Sequence, residues 1–183
     1  MSGWSRKAAA GTVLACAAWL FAGCSGGGST SATSQPSAEE QQVTVNLANF
    51  DDLDFNVFTN QKWDELHKSH ADSIVVHWPD GHTTQGIQRH IQDLEAMFVW
   101  APDTRITAHP IKFGKGDWTC VTGVFEGTFT KPMPIGNGKT LPATNKAYKL
   151  DMCTIGHWKN GTMDEEYLFW DNGEFRKQIG LAK

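Results

Sequence analysis

The dipeptide Asn160-Gly161 stands between two alternating runs, residues 148–158 and 163–170. Asn-Gly accepts the two consecutive positive φ values of a tight hairpin turn, so it joins two antiparallel strands in a fixed register. Alternation at period two puts one face of each strand against a core, which something else must cover. Upstream, residues 105–113 read as a strand, Gly114-Lys115-Gly116-Asp117 as a tight turn and residues 118–129 as the next strand. A Pro- and Gly-rich connection over 131–144 leads into the hairpin.

The first half supplies the cover. Ile87, Ile91, Leu94 and Phe98 fall on one stripe of a helix over 86–99, which Ala101-Pro102-Asp103 ends. Phe50, Leu53 and Val57 repeat at helical spacing; Trp63, Leu66, His67 and His70 do so on another face. The register breaks at Thr59-Asn60-Gln61, so two helices are expected, the second capped by Asn60 with Asp64 and Glu65 in its first turn. Residues 74–78 form a short strand stopped by Pro79-Asp80-Gly81. Helices first and strands second point to an α+β fold in which three N-terminal helices pack on a strongly curved antiparallel sheet. Such a cone leaves an interior for a small molecule.

Residues 1–24 read as a lipoprotein signal peptide. Arg6 and Lys7 form the positive segment, 8–20 a short apolar segment, and Phe21-Ala22-Gly23-Cys24 a small-residue cleavage site followed by cysteine. That site resembles a bacterial lipobox, with Phe21 in the place usually held by Leu, and makes Cys24 the lipidation residue. A rival lipobox ending at Cys16 leaves almost no apolar segment. Plain secretion is the alternative. Residues 25–42 carry no core-forming side chain and read as a flexible tether, with the domain over 43–183. An exported, membrane-anchored protein of the bacterial cell envelope is expected.

Removal of residues 1–24 leaves 14 basic and 20 acidic side chains, a net charge of −6. No basic patch suggests nucleic acid. Cys120 and Cys153 lie in strand-like runs and are read as two unpaired thiols. There is no phosphate-binding glycine loop and no nucleophile elbow.

Several runs resemble the SnoaL-like polyketide cyclase (ester cyclase) family of the nuclear-transport-factor-2-like superfamily. Asn60-Gln61-Lys62-Trp63 and Asp72-Ser73-Ile74-Val75-Val76-His77-Trp78-Pro79-Asp80-Gly81 look like its opening, and Gly86 to His90 like the start of its third helix. Phe125-Glu126-Gly127-Thr128-Phe129 and Gly138-Lys139 look like its long hairpin. Gly161-Thr162-Met163-Asp164-Glu165-Glu166-Tyr167-Leu168-Phe169-Trp170-Asp171-Asn172 and Gln178-Ile179-Gly180-Leu181 look like its close. Asn145 stands where the resemblance leads one to expect Gly. The likeness covers 47–181. It implies a closing strand in which an acidic residue is the acid/base, and no metal or other cofactor.

Asp171 is the expected catalytic acid/base. If Tyr167 and Phe169 face the interior, the two-residue period brings Asp171 there too, poorly solvated among aromatics and suited to proton transfer. The other reading makes it a cap on the terminal helix. His77 and His90 are candidate second acid/bases or donors to a substrate carbonyl; each is alternatively a half-buried histidine satisfied by backbone. His77, Asp80 and His82 are near in sequence, but the turn between them gives no firm metal geometry. Tyr167, Phe169, Trp78, Phe98 and Trp118 are expected to bind substrate. Three functions compete: an acid/base enzyme (cyclase, isomerase or dehydratase type) on a small apolar carbonyl compound, a ligand-binding envelope lipoprotein without turnover, and an interaction module that forms a homodimer through the sheet face.

Overall fold

A computed structural model describes residues 35–182; the signal peptide, Cys24 and the first part of the expected tether lie outside them. Helix α1, Ala38–Asp52, begins inside the segment expected to be tether. Ser37 and Glu40 are the reason. The Ser37 hydroxyl accepts from the Glu40 N–H at 3.2 Å, and the Glu40 carboxylate accepts from the Ser37 N–H at 2.6 Å. This capping box starts a helix without any core residue nearby. α1 then widens into a π-helical turn, Leu53–Phe58, so Phe50, Leu53 and Val57 belong to one continuous helical stretch.

Asn60 does not cap a second helix. Its side-chain amide donates back to the carbonyls of Phe55 and Asn56 and closes the π turn. A 3-10 turn, Trp63–Lys68, follows with no side-chain cap. His70 leaves helix altogether and opens strand β1, His70–His77. After β2, Thr83–Gln85, comes α2, Ile87–Trp100, as expected. Its buried stripe runs through Ile87, His90, Leu94 and Phe98, with Ile91 half-buried beside it.

The single strand expected over 105–113 is two, β3 (Arg105–Ile106) and β4 (Lys112–Lys115), both antiparallel to β5, Trp118–Thr128. Pro110 lies between them and offers no N–H to the ladder. β6 (Met133–Pro134) and β7 (Thr140–Leu141) make a small hairpin within the long connection. β8, Ala147–Lys159, and β9, Thr162–Trp170, meet at Asn160 (φ 54°) and Gly161 (φ 86°). α3, Asn172–Gln178, ends the fold.

The main sheet runs β2-β1-β9-β8-β5-β3, with β4 also on β5; β1 and β9 are parallel and its other pairings antiparallel. Its inner face carries Val121, Phe125, Tyr148, Leu150, Met152, Trp158, Met163 and Leu168, all buried with α2 and the π turn. Close approach explains Gly127: a Cβ there would lie 2.6 Å from the Tyr148 hydroxyl oxygen, which shares a 2.7 Å hydrogen bond with Thr104. Cys120 and Cys153 are free thiols, half-buried, with sulfurs 3.5 Å apart. Among the described residues no helix is long and apolar enough to cross a membrane.

Candidate active site

Three ionisable side chains meet in the core. His70 is the first residue of β1, His90 sits on the buried stripe of α2, and Glu166 points inward from β9; each is at most 4% exposed. Glu166 Oε2 lies 3.4 Å from His90 Nε2 and 3.7 Å from His70 Nε2. The His70 ring is fixed from behind. The Ser69 hydroxyl donates to the Leu66 carbonyl at 3.2 Å and, having used its proton, accepts from His70 Nδ1 at 2.9 Å. With the bonds in that direction a ring proton sits at Nδ1, and in that tautomer the Nε2 lone pair faces Glu166. His70 Nε2, His90 Nδ1 and Glu166 Oε2 have no hydrogen-bond partner.

Asp54, on the π turn, closes the group from the helical side. The four residues line one cavity of about 40 Å³ with apolar walls that include Leu53, Leu94, Phe125 and Leu168. That volume holds water and no more without movement. Of its lining residues only Met97 and Trp170 are partly exposed, which places the mouth between α2 and the end of β9. The Trp170 indole donates to Asn172 at 2.9 Å. Behind the cavity, His109 bridges Asp54 and Asp51 with two 2.8 Å contacts, and Lys112 pairs with Asp51.

These environments push the groups apart. Burial drives the Asp54 carboxyl above the usual range, and the hydrogen bond from His109 only partly offsets it. Burial acts on Glu166 in the same sense, but a proton held toward it by His70, and charge on His90 or His70, outweigh burial and bring the net value below the ordinary one. Burial lowers His90 to about 4, so its imidazole is neutral at physiological pH. His109 is raised: burial opposes its charge, and Asp54 and Asp51 together overcome that. A neutral imidazole, a held carboxylate and a carboxyl that resists ionisation are the parts of a proton-transfer centre.

Of the residues expected from sequence, only His90 reaches this cavity. Asp171 is exposed and caps α3, accepting from the N–H groups of Gly173 (2.8 Å) and Glu174 (2.9 Å). Tyr167 and Phe169 lie on the outer side of the sheet, opposite to the expected orientation, Phe169 being 49% exposed. His77 is on that outer side too, stacked on Tyr167 at 4.1 Å and bonded to Glu165 at 2.9 Å, an oxygen that also accepts from the Tyr167 hydroxyl at 2.7 Å. Trp118 is 42% exposed beside His157. Phe98 is core, edge-on to Phe58 and Trp63. Trp78 is buried behind His90 and Trp170, its indole donating to Thr84 at 2.9 Å. Asp54, His70, His109 and Glu166 stand outside the residues expected from sequence. The acidic residue that the closing strand turns inward is Glu166.

The model of the SnoaL-like polyketide cyclase family matches residues 41–179. The chain belongs to that family. No curated protein matches it. Among solved structures, a SnoaL-like protein of Jannaschia sp. CCS1 superposes with a TM-score of 0.68 at 16% identity, over 82% of this chain and 99% of that one. IdmH of Streptomyces antibioticus, described as a polyketide cyclase, gives 0.61 at 18% identity over 74% and 98%. A protein of Catenulispora acidiphila with a ketosteroid isomerase-like fold, in complex with trimethylamine, gives 0.57 at 12% identity over 75% and 93%. At these identities the likeness is one of fold.

Proposed function

We propose that this SnoaL-like protein is an acid/base enzyme of the cyclase, isomerase or dehydratase type, acting on a small apolar carbonyl compound in the cavity of Asp54, His70, His90 and Glu166. The observation that carries this reading is the placement of two buried carboxyl groups, Glu166 on the sheet and Asp54 on the π turn, on the walls of one apolar cavity. Glu166 takes a proton from the carbon beside the carbonyl. Asp54 returns one, and the neutral His90 donates a hydrogen bond to the developing enolate oxygen. A substrate enters past Met97 and Trp170, which must move aside to enlarge the space.

Glu166→Gln keeps the size of the side chain and removes the proton acceptor. Turnover of a substrate found by screening carbonyl compounds should fall by about 10²–10⁴-fold with binding retained. A Gln variant at the wild-type rate overturns the assignment. A second reading, a lipoprotein that holds a small ligand without turnover, becomes the better one if wild type binds members of the panel and converts none. Ile111, Phe113, Trp118 and Phe169, all exposed, support self-association through the outer sheet face, which sedimentation of the wild type against Trp118→Glu would test.

A further inference from the structure

We propose that His70 Nε2, His90 Nε2 and Glu166 Oε2 form a site for a divalent first-row transition cation of the zinc or ferrous class. This inference concerns the same cavity and engages His90 and Glu166 of the proton-transfer reading above, from which the test below separates it.

The contacts among these groups are otherwise hard to satisfy. The Ser69–Leu66 network leaves a lone pair on His70 Nε2 directed at a carboxylate oxygen 3.7 Å away, acceptor against acceptor in the core. Neither His70 Nε2 nor Glu166 Oε2 has another partner, although unpaired buried polar atoms are costly. A cation between them supplies what both lack. Spacing agrees. Zinc holds imidazole nitrogen and carboxylate oxygen at about 2.0–2.2 Å, so two ligands on a tetrahedron stand about 3.4 Å apart. The two Glu166 contacts are 3.4 and 3.7 Å, and all three ligand atoms lie within 4.8 Å of one another.

Donor type and surroundings agree as well. Two imidazoles and one carboxylate are a common ligand set for zinc with an open position and for non-haem ferrous iron. Ser69 plays the outer part of such sites, holding the far nitrogen of a ligating histidine. Glu166 supplies a negative charge to the cation, and Asp54 lines the same cavity without belonging to the ligand set. The fourth position faces that cavity, where a carbonyl oxygen would be polarised while Asp54 remains free to carry the proton. His77, which stands near Asp80 and His82 in sequence, bonds to Glu165 and stays outside the core.

Chelator-treated protein should be titrated with Co(II) as a spectroscopic stand-in for Zn(II). One equivalent should bind with the intense visible absorption of a low-coordinate site, and Zn(II) should displace it and raise the unfolding temperature. His70→Asn should weaken binding by more than about 100-fold and Ser69→Ala by about 10-fold, since outer-shell losses cost 10–100-fold and ligand losses more. His82→Ala, at an exposed His–Asp pair, should change nothing. Absence of the Co(II) band in wild type overturns the proposal whatever the variants do, and so does a band that survives His70→Asn in folded protein. Turnover by chelated protein bears on proton transfer alone, so the two readings fail separately.

Discussion

Met163 and Glu166 lie three residues apart on β9, an odd spacing, yet both side chains point into the core. The ladder with β8 explains it: Met163 opposes Trp158 and Glu165 opposes His157, so Asp164 is skipped. A one-residue bulge reverses which parity faces inward. Glu166 and Leu168 therefore line the cavity while Tyr167 and Phe169 face out.

Paired alanine substitutions test this inversion. Leu168 is 7% exposed and Phe169 49%. Leu168→Ala should cost about 2–5 kcal/mol in denaturant unfolding by opening the core. Phe169→Ala should cost under about 1 kcal/mol, although more atoms are removed. Equal costs would mean that β9 presents its other face.

Asp171 gives the second prediction. Its carboxylate accepts two backbone N–H groups at the start of α3, so Asp171→Ala should destabilise by about 1 kcal/mol and Asp171→Asn by only a few tenths. Neither should alter the rate of any reaction run by Glu166. A large loss of turnover in folded Asp171→Asn would return Asp171 to the chemistry.

The fold was legible because its cues are local. Asn160-Gly161, the stripe of α2 and the alternation of β5 and β8 each state their own geometry, and the hairpin and α2 formed as read. Of the site, only His90 was legible, from its place beside that stripe. Glu166 is hidden because alternation separates the two faces of β9 without saying which is inside, and an aromatic pair looks more like pocket lining than Glu166 does. The spacing of His70 from Leu66 fits a helix, although the chain turns into β1 there. Asp54 and His109 stand 55 residues apart and meet only through tertiary packing. Ser37 and Glu40 are a readable helix start within the expected tether, since a capping box needs no apolar neighbour.

Cys24 lies outside the described residues, and its role is tested in the cell. If acyl chains on Cys24 hold the protein at the membrane, Cys24→Ala should release it into the soluble exported fraction. Wild-type protein that is already soluble, or that lacks acyl mass on Cys24, excludes the anchor.

The bridge from Asp54 through His109 to Asp51 predicts a pH dependence whose sign follows from linkage. The His109 side chain is 2% exposed and lies between two carboxylates, which raise its pKa above the ordinary value of about 6.5. A group that binds its proton more tightly when folded stabilises the fold fully below its unfolded pKa, and that contribution is lost as pH rises through the folded value. Asp54, raised by burial, acts in the same sense through its own higher range. Asp51 works oppositely: burial raises it, but Lys112 and His109 bring it below the usual carboxylate value, so its contribution is lost only toward acid. Denaturant midpoints for wild type should therefore decline as pH rises above about 6.5, and His109→Gln should flatten that decline. At neutral pH His109→Ala should cost about 3–5 kcal/mol, because Asp54 is left buried without its partner. Asp54→Asn in the same background should recover part of the loss by removing the orphaned acid. A wild-type profile that is flat or rising above pH 6.5 would show that the bridge does not hold a proton in the folded state.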